Sequence, residues 1–179
     1  MKTLLTIAPL ALLAACGQTA TATADRDAMA SSPAMAAPAD DATYLAMAGA
    51  SDMFEIESSK AVMAKTSNAA VQDFARMMIA HHSDSTARVK AAAAQAGLTV
   101  PPPQLTADQR AKLAAVTSAT GDAAARTYIA GQREAHAAAL TLHQGYAQNG
   151  RTPALRAVAA QIVPVVQGHI TMLANMREI

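Results

Sequence analysis

The sequence predicts an all-α fold: a four-helix bundle whose long crossover carries a short extra helix between helices two and three. Three observations lead there. Hydrophobic residues make up 52% of the chain but aromatics only 3%, and alanine, leucine and methionine are good helix formers. Long stretches repeat their larger apolar residues at three- and four-residue spacing, the period of a helix face. Breaks at Ser67-Asn68, Gly97 to Thr106 and Asn149-Gly150 give a short, a long and a short join.

The chain opens with an address. Lys2 precedes the apolar run Leu4 to Leu13, too short for a mature transmembrane helix and typical of a secretory signal over residues 1–15. Leu13-Ala14-Ala15-Cys16 then resembles a bacterial lipobox, with Cys16, the sole cysteine, as the lipidation site. A single thiol excludes an internal disulfide and a cysteine-based metal cluster. Gly17, rather than aspartate, follows the cysteine, which favours the outer membrane in a Gram-negative cell. The expected location is therefore the cell envelope, anchored to the membrane through lipidated Cys16, on the periplasmic side. Residues 16–40 form the anchored tether: after Gln18 they are mainly alanine, threonine, serine, proline and aspartate, too poor in large side chains to fold.

Residues 41–179 form the bundle. Asp41 or Thr43 caps the first helix, which runs to about Lys65. Ser67-Asn68 breaks and recaps the chain, since short polar side chains accept bonds from free helix amides. The second helix spans about Ala69 to Ala96 and stops at Gly97. Val100-Pro101-Pro102-Pro103 is excluded from helix interior. Thr106 and Gln109 form a capping box ahead of a short helix over Ala107 to Thr117. The third long helix runs from about Ala123 to Gln148, with Ile129, Gln132, His136, Ala139, His143 and Tyr146 on one face. Thr152-Pro153 starts the fourth, which runs to about Arg177. Its predicted buried stripe is Leu155, Val158, Ile162, Val165, His169, Met172 and Met176, and Pro164 is expected to bend it.

The joins match a ferritin-like bundle with one crossover; an up-down-up-down bundle is the alternative. Formal net charge is +1, with no basic patch, so no nucleic-acid partner is expected. No serine triad and no phosphate loop are recognisable. Most of the ten methionines fall on apolar stripes, where methionine fills gaps.

Met53-Phe54-Glu55-Ile56-Glu57 and the run Ser67 to His82, with Tyr128-Ile129, His136, Val163-Pro164 and His169, resemble the family numbered 4142 among the domains of unknown function. These are ferritin-like bacterial envelope proteins, and the resemblance covers about Tyr44 to Met176. It implies recurring polar positions at Glu55, His82, His136 and His169, one per long helix. The chain departs from the pattern at Ala124-Ala125, where the family commonly has Phe-Asp.

Those four residues suit a single transition metal ion, zinc, copper or iron, because imidazole with a carboxylate is a plausible donor set. Asp52, one turn before Glu55, is a further supporting group. The other reading is a hydrogen-bonded polar core. No di-iron site is expected: it needs a glutamate three residues before a histidine on two helices, and Ile79, Arg133 and Val166 stand there. His136 and His143 lie about 10 Å apart along the axis, at ~1.5 Å per residue, too far to share an ion. His81 points about 100° away from His82 and is expected to face solvent. Function is accordingly expected to be non-enzymatic, in envelope stress tolerance or interaction. The alternative is periplasmic mononuclear metal binding, and the third a metal-dependent oxidase or hydrolase.

Overall fold

The computed structural model describes residues 39–176. The segments expected to form the signal peptide and the tether, with Cys16, fall outside the described residues but for the last two tether positions, as does Arg177. Five helices follow in order: α1 (Asp41–Met63), α2 (Ala69–Gln95), α3 (Ala107–Ser118), α4 (Gly121–Asn149) and α5 (Pro153–Asn175). α1, α2, α4 and α5 are the four long helices expected, and α3 is the extra one.

Local chemistry sets the boundaries. Asn68 accepts the Val71 amide at the start of α2. Gly97, at φ 69°, ends it: Leu98 N–H donates to Ala93 O and Gly97 N–H to Ala94 O, the two bonds of a Schellman stop. Thr106 and Gln109 make both halves of the capping box on α3. α1 is capped by Asp40, whose carboxylate accepts the Thr43 amide at 2.9 Å, not by Asp41 or Thr43. Asp41 is occupied elsewhere: it accepts the Tyr146 hydroxyl and, at 2.6 Å, the Thr152 hydroxyl. That bond also takes Thr152 away from capping α5, which begins with Pro153 and no side-chain cap.

These ties settle the topology. Asp41, at the start of α1, meets the α4–α5 turn. At the other end Gly121 N–H, opening α4, donates to Lys65 O in the α1–α2 turn. The segment from Gly97 to Thr120 therefore travels the length of the bundle. α4 runs parallel to α2, and α5 parallel to α1. α1 packs on α2 and α4, and α5 on α2 and α4, so α2 and α4 occupy opposite corners. This is the crossover topology, and the up-down-up-down alternative is excluded. α3 lies against α1 and α4 and sinks Val116 into the core.

The core is in two parts. One end holds Tyr44, Leu45, Val89, Leu142, Tyr146, Leu155 and Ile162 among others. The other holds Val62, Val71, Phe74, Met78, Tyr128, Ile129 and Leu173. Every long helix changes from apolar to polar between them: Asp52 and Glu55 on α1, His82 on α2, Gln132 and His136 on α4, His169 on α5.

The α4 face is as expected, with all six predicted residues buried. The α5 stripe is not. It consists of Leu155, Ala159, Ile162, Val166, His169 and Leu173, while Val165 and Met172 are exposed. Both stripes share Leu155, Ile162 and His169 and lean to opposite sides of that line. The helix continues through Pro164. Pro164 and Ala160, whose carbonyl loses its amide partner, both face solvent. By length and composition α5 is apolar enough to cross a membrane; in the bundle it forms one of the four walls.

Candidate metal centre

The polar band between the two apolar clusters is built from α1 outward. Asp52 and Glu55, one turn apart, both face inward and are 4% and 0% exposed. His82 Nδ1 lies 2.8 Å from Asp52 Oδ1 and 2.9 Å from Glu55 Oε2. The Thr86 hydroxyl donates to Asp52 Oδ2 at 2.8 Å. His82 Nε2, on the far side of the ring, is buried without a hydrogen-bond partner among the described residues.

α4 contributes His136. Its Nδ1 is 2.8 Å from Gln132 O, and a carbonyl only accepts, so Nδ1 carries the proton. Nε2 of the neutral ring is then an acceptor, 3.1 Å from His169 Nδ1. His169 Nε2 is in turn 2.8 Å from His81 Nδ1. With all three rings neutral, one consistent chain follows. His81 Nδ1–H donates to His169 Nε2, His169 Nδ1–H to His136 Nε2, and His136 Nδ1–H to Gln132 O.

Charge is uneven across the band. Burial alone lowers the pKa of His82. The Glu55 charge, the hydrogen bonds to Asp52 and Glu55, and the Asp52 charge outweigh it and raise His82 from 6.5 to about 10. Burial opposes ionisation of Glu55, but the charge and hydrogen bond of His82, then His136 and His143, hold its carboxyl below the usual range. His169 is lowered to about 3 by burial, then by His82, His136 and His81. Burial also lowers His136, assisted by His82 and against the pull of Glu55. The band is thus an imidazolium held between the carboxyl groups of Asp52 and Glu55, beside neutral imidazoles.

Two overlapping groups offer converging donor atoms. His82, His136 and His169 each present one ring nitrogen, all within 4.8 Å of one another; Asp52, Glu55 and His82 do the same with one atom each. The structure therefore gathers all five expected residues but divides them. Glu55 is not in the three-histidine group. It lies against the ring nitrogens on the opposite side, His82 Nδ1 at 2.9 Å and His136 Nδ1 at 3.4 Å. A carboxylate behind a ligating histidine fixes its tautomer and raises its basicity.

His81 is a further participant from α2. It is exposed, as expected, yet its ring stacks on His169 with centroids 5.1 Å apart. α2 packs against both α1 and α5, so adjacent residues on it serve different partners. His82 faces α1 and His81 faces α5. The other polar neighbours are Ser58, which accepts from Gln132 Nε2 at 2.8 Å, and Ser59, 2.7 Å from the Tyr128 hydroxyl. Short side chains on the α1 face carry no periodic signal of such roles.

His143 stands apart, buried against the Tyr44 hydroxyl at 3.1 Å. Burial lowers its pKa below 6.5, so the unfolded chain takes up its proton first. Its contribution to stability is complete above about pH 6.5. It is lost progressively as pH falls from there towards the folded value. His143→Gln is therefore expected to flatten the loss of stability between neutral and mildly acid pH, measured by chemical denaturation at each pH.

Fold and site together define a crossover four-helix bundle with a buried histidine–carboxylate centre. A family model described as Domain of unknown function (DUF4142) matches residues 24–176, and the chain belongs to that family. No curated protein and no solved structure matches it.

Proposed function

We propose that the bundle binds a single divalent transition metal ion through His82, His136 and His169, with Glu55 and Asp52 orienting and balancing the donors. The carrying observation is the orphaned His82 Nε2 in a buried group of three converging ring nitrogens. A buried polar atom without a partner is unfavourable unless something completes it, and a metal ion does so by displacing the Nε2 proton of the His82 imidazolium to solvent, since imidazole ligates only when neutral. The remaining nitrogens are committed to the protein: His82 Nδ1 to the carboxyls and His136 Nδ1 to Gln132 O. Three imidazoles suit zinc, copper or iron, and the adjacent carboxyl groups favour a cation.

A mononuclear ion fits better than a di-iron pair. The buried acidic residues among those described are Asp52 and Glu55, both on α1. Arg133, in the place a di-iron motif gives to glutamate, donates to Leu173 O at the end of α5 instead. Elemental analysis of the chain after exposure to Zn, Cu and Fe tests the reading. About one ion per chain is expected in the wild type and none above background in His169→Ala. A wild type without metal overturns it.

The envelope location remains the reading of the N-terminal sequence, carried by Leu13-Ala14-Ala15-Cys16. A lipid anchor there would hold the centre on the periplasmic side, most consistently at the outer membrane. Cys16→Ser is expected to abolish labelling by a radioactive fatty acid and to release the chain from the membrane fraction. Continued labelling overturns the anchor.

A further inference from the structure

The buried histidines are 0–5% exposed, so an ion needs a route to them. His169 offers one, because it presents a nitrogen on each side. Nδ1 faces His136 in the interior, and Nε2 faces His81 at the surface. The His81 and His169 rings are 11° from parallel, with 2.8 Å between the facing nitrogens. Both residues line a cleft of about 220 Å³ between α2 and α5, and so does His82. The cleft is thus lined both by the exposed pair and by His82 of the buried group. Its lip carries exposed Asp84, 3.6 Å from Arg88, and Arg88 is hydrogen-bonded across the cleft to Gln161.

We propose that His81 Nδ1 and His169 Nε2 form an outer metal station through which a divalent transition ion reaches the buried three-histidine centre. The inference rests on the metal-binding reading above. In the empty pair one proton lies between the two nitrogens. The neutral His81 ring can tautomerise through water, which takes the Nδ1 proton as it delivers another to Nε2, leaving two lone pairs facing the same point. Two imidazoles are a weaker donor set than three, and this pair is half in solvent. It therefore captures an ion without retaining it, and the cleft passes the ion on to His82.

The station makes a kinetic prediction distinct from that of a supporting role. A site on the path alters arrival and departure equally and leaves equilibrium affinity unchanged. A residue that merely positions His169 weakens affinity and speeds release, typically ~10–100-fold. The experiment follows Zn²⁺ exchange between a chromophoric chelator and the full chain in detergent, for the wild type, His81→Ala and His81→Gln. Because His81 is exposed, helix content by circular dichroism is expected to stay unchanged. The expected result is unchanged stoichiometry and affinity with loading and release both roughly tenfold slower, the scale on which a local capture site acts. Unchanged rates, or faster release with weakened affinity, overturn the station while leaving the buried site intact. A wild type that takes up no Zn²⁺, Cu²⁺ or Fe²⁺ removes the underlying reading and the station with it.

Discussion

His82→Ala is expected to destabilise the metal-free protein by ~3–5 kcal/mol, the usual result of removing one partner from a buried ion pair. The substitution leaves Asp52 and Glu55, 4% and 0% exposed, without the imidazolium between them. Glu55→Gln in the His82→Ala background is expected to recover part of the loss, since it removes the charge that His82 balanced. Such a recovery is a coupling between contacting residues rather than two independent effects. Denaturant unfolding of the four proteins in the presence of a chelator reads it. Additive losses contradict the ion pair.

The second large effect is stabilisation by the ion itself. A ligand that binds only the folded chain adds ~4 kcal/mol when present at a thousand times its Kd. For a helical domain of this size that is a rise of roughly 10 °C in Tm. The rise is expected in the wild type and absent in His169→Ala, whose ring connects the α5 side of the group to His136. His169→Ala is less stable at the outset because it leaves a cavity, so the comparison is the metal-dependent increment within each protein. A full increment in His169→Ala would mean that the ion binds elsewhere.

Much of the fold was legible because its signals are local. Asn68, Gly97 and the Thr106–Gln109 box act within one turn of helix, and each does in the structure what its chemistry dictates. The crossover was legible from join lengths, since a short hairpin join cannot return the chain to the far end of a bundle. The α5 stripe was less so. Leu155, Ile162 and His169 share a line, and the bulkier Val158, Val165 and Met172 flank it on one side, with Ala159, Val166 and Leu173 on the other. Periodicity does not distinguish the two flanks; the position of α2 and α4 does, and it buries the second. Capping of α1 moved to Asp40 for a similar reason. The Tyr146 and Thr152 hydroxyls that engage Asp41 are more than a hundred residues away.

The site shows the same division. His136 and His169 are placed inward by helix periodicity and Glu55 and His82 only by the family resemblance, and the four do meet. Their grouping was not identifiable, because it depends on which ring nitrogen each backbone and carboxyl takes. Gln132 O fixes the His136 tautomer, and α1 occupies His82 Nδ1. Glu55 thereby moves from the expected donor set to a place behind it. The angle of His81 on α2 points away from α1, and only the packing of α5 gives that direction a partner.

Metal-edge X-ray absorption on the chain loaded with one equivalent of Zn²⁺ tests the central claim most directly. The account predicts a nitrogen-rich first coordination shell with the multiple-scattering pattern of three imidazoles, reduced to two or lost altogether in His136→Ala. An ion that is not retained, or a shell without imidazole scattering, would contradict it.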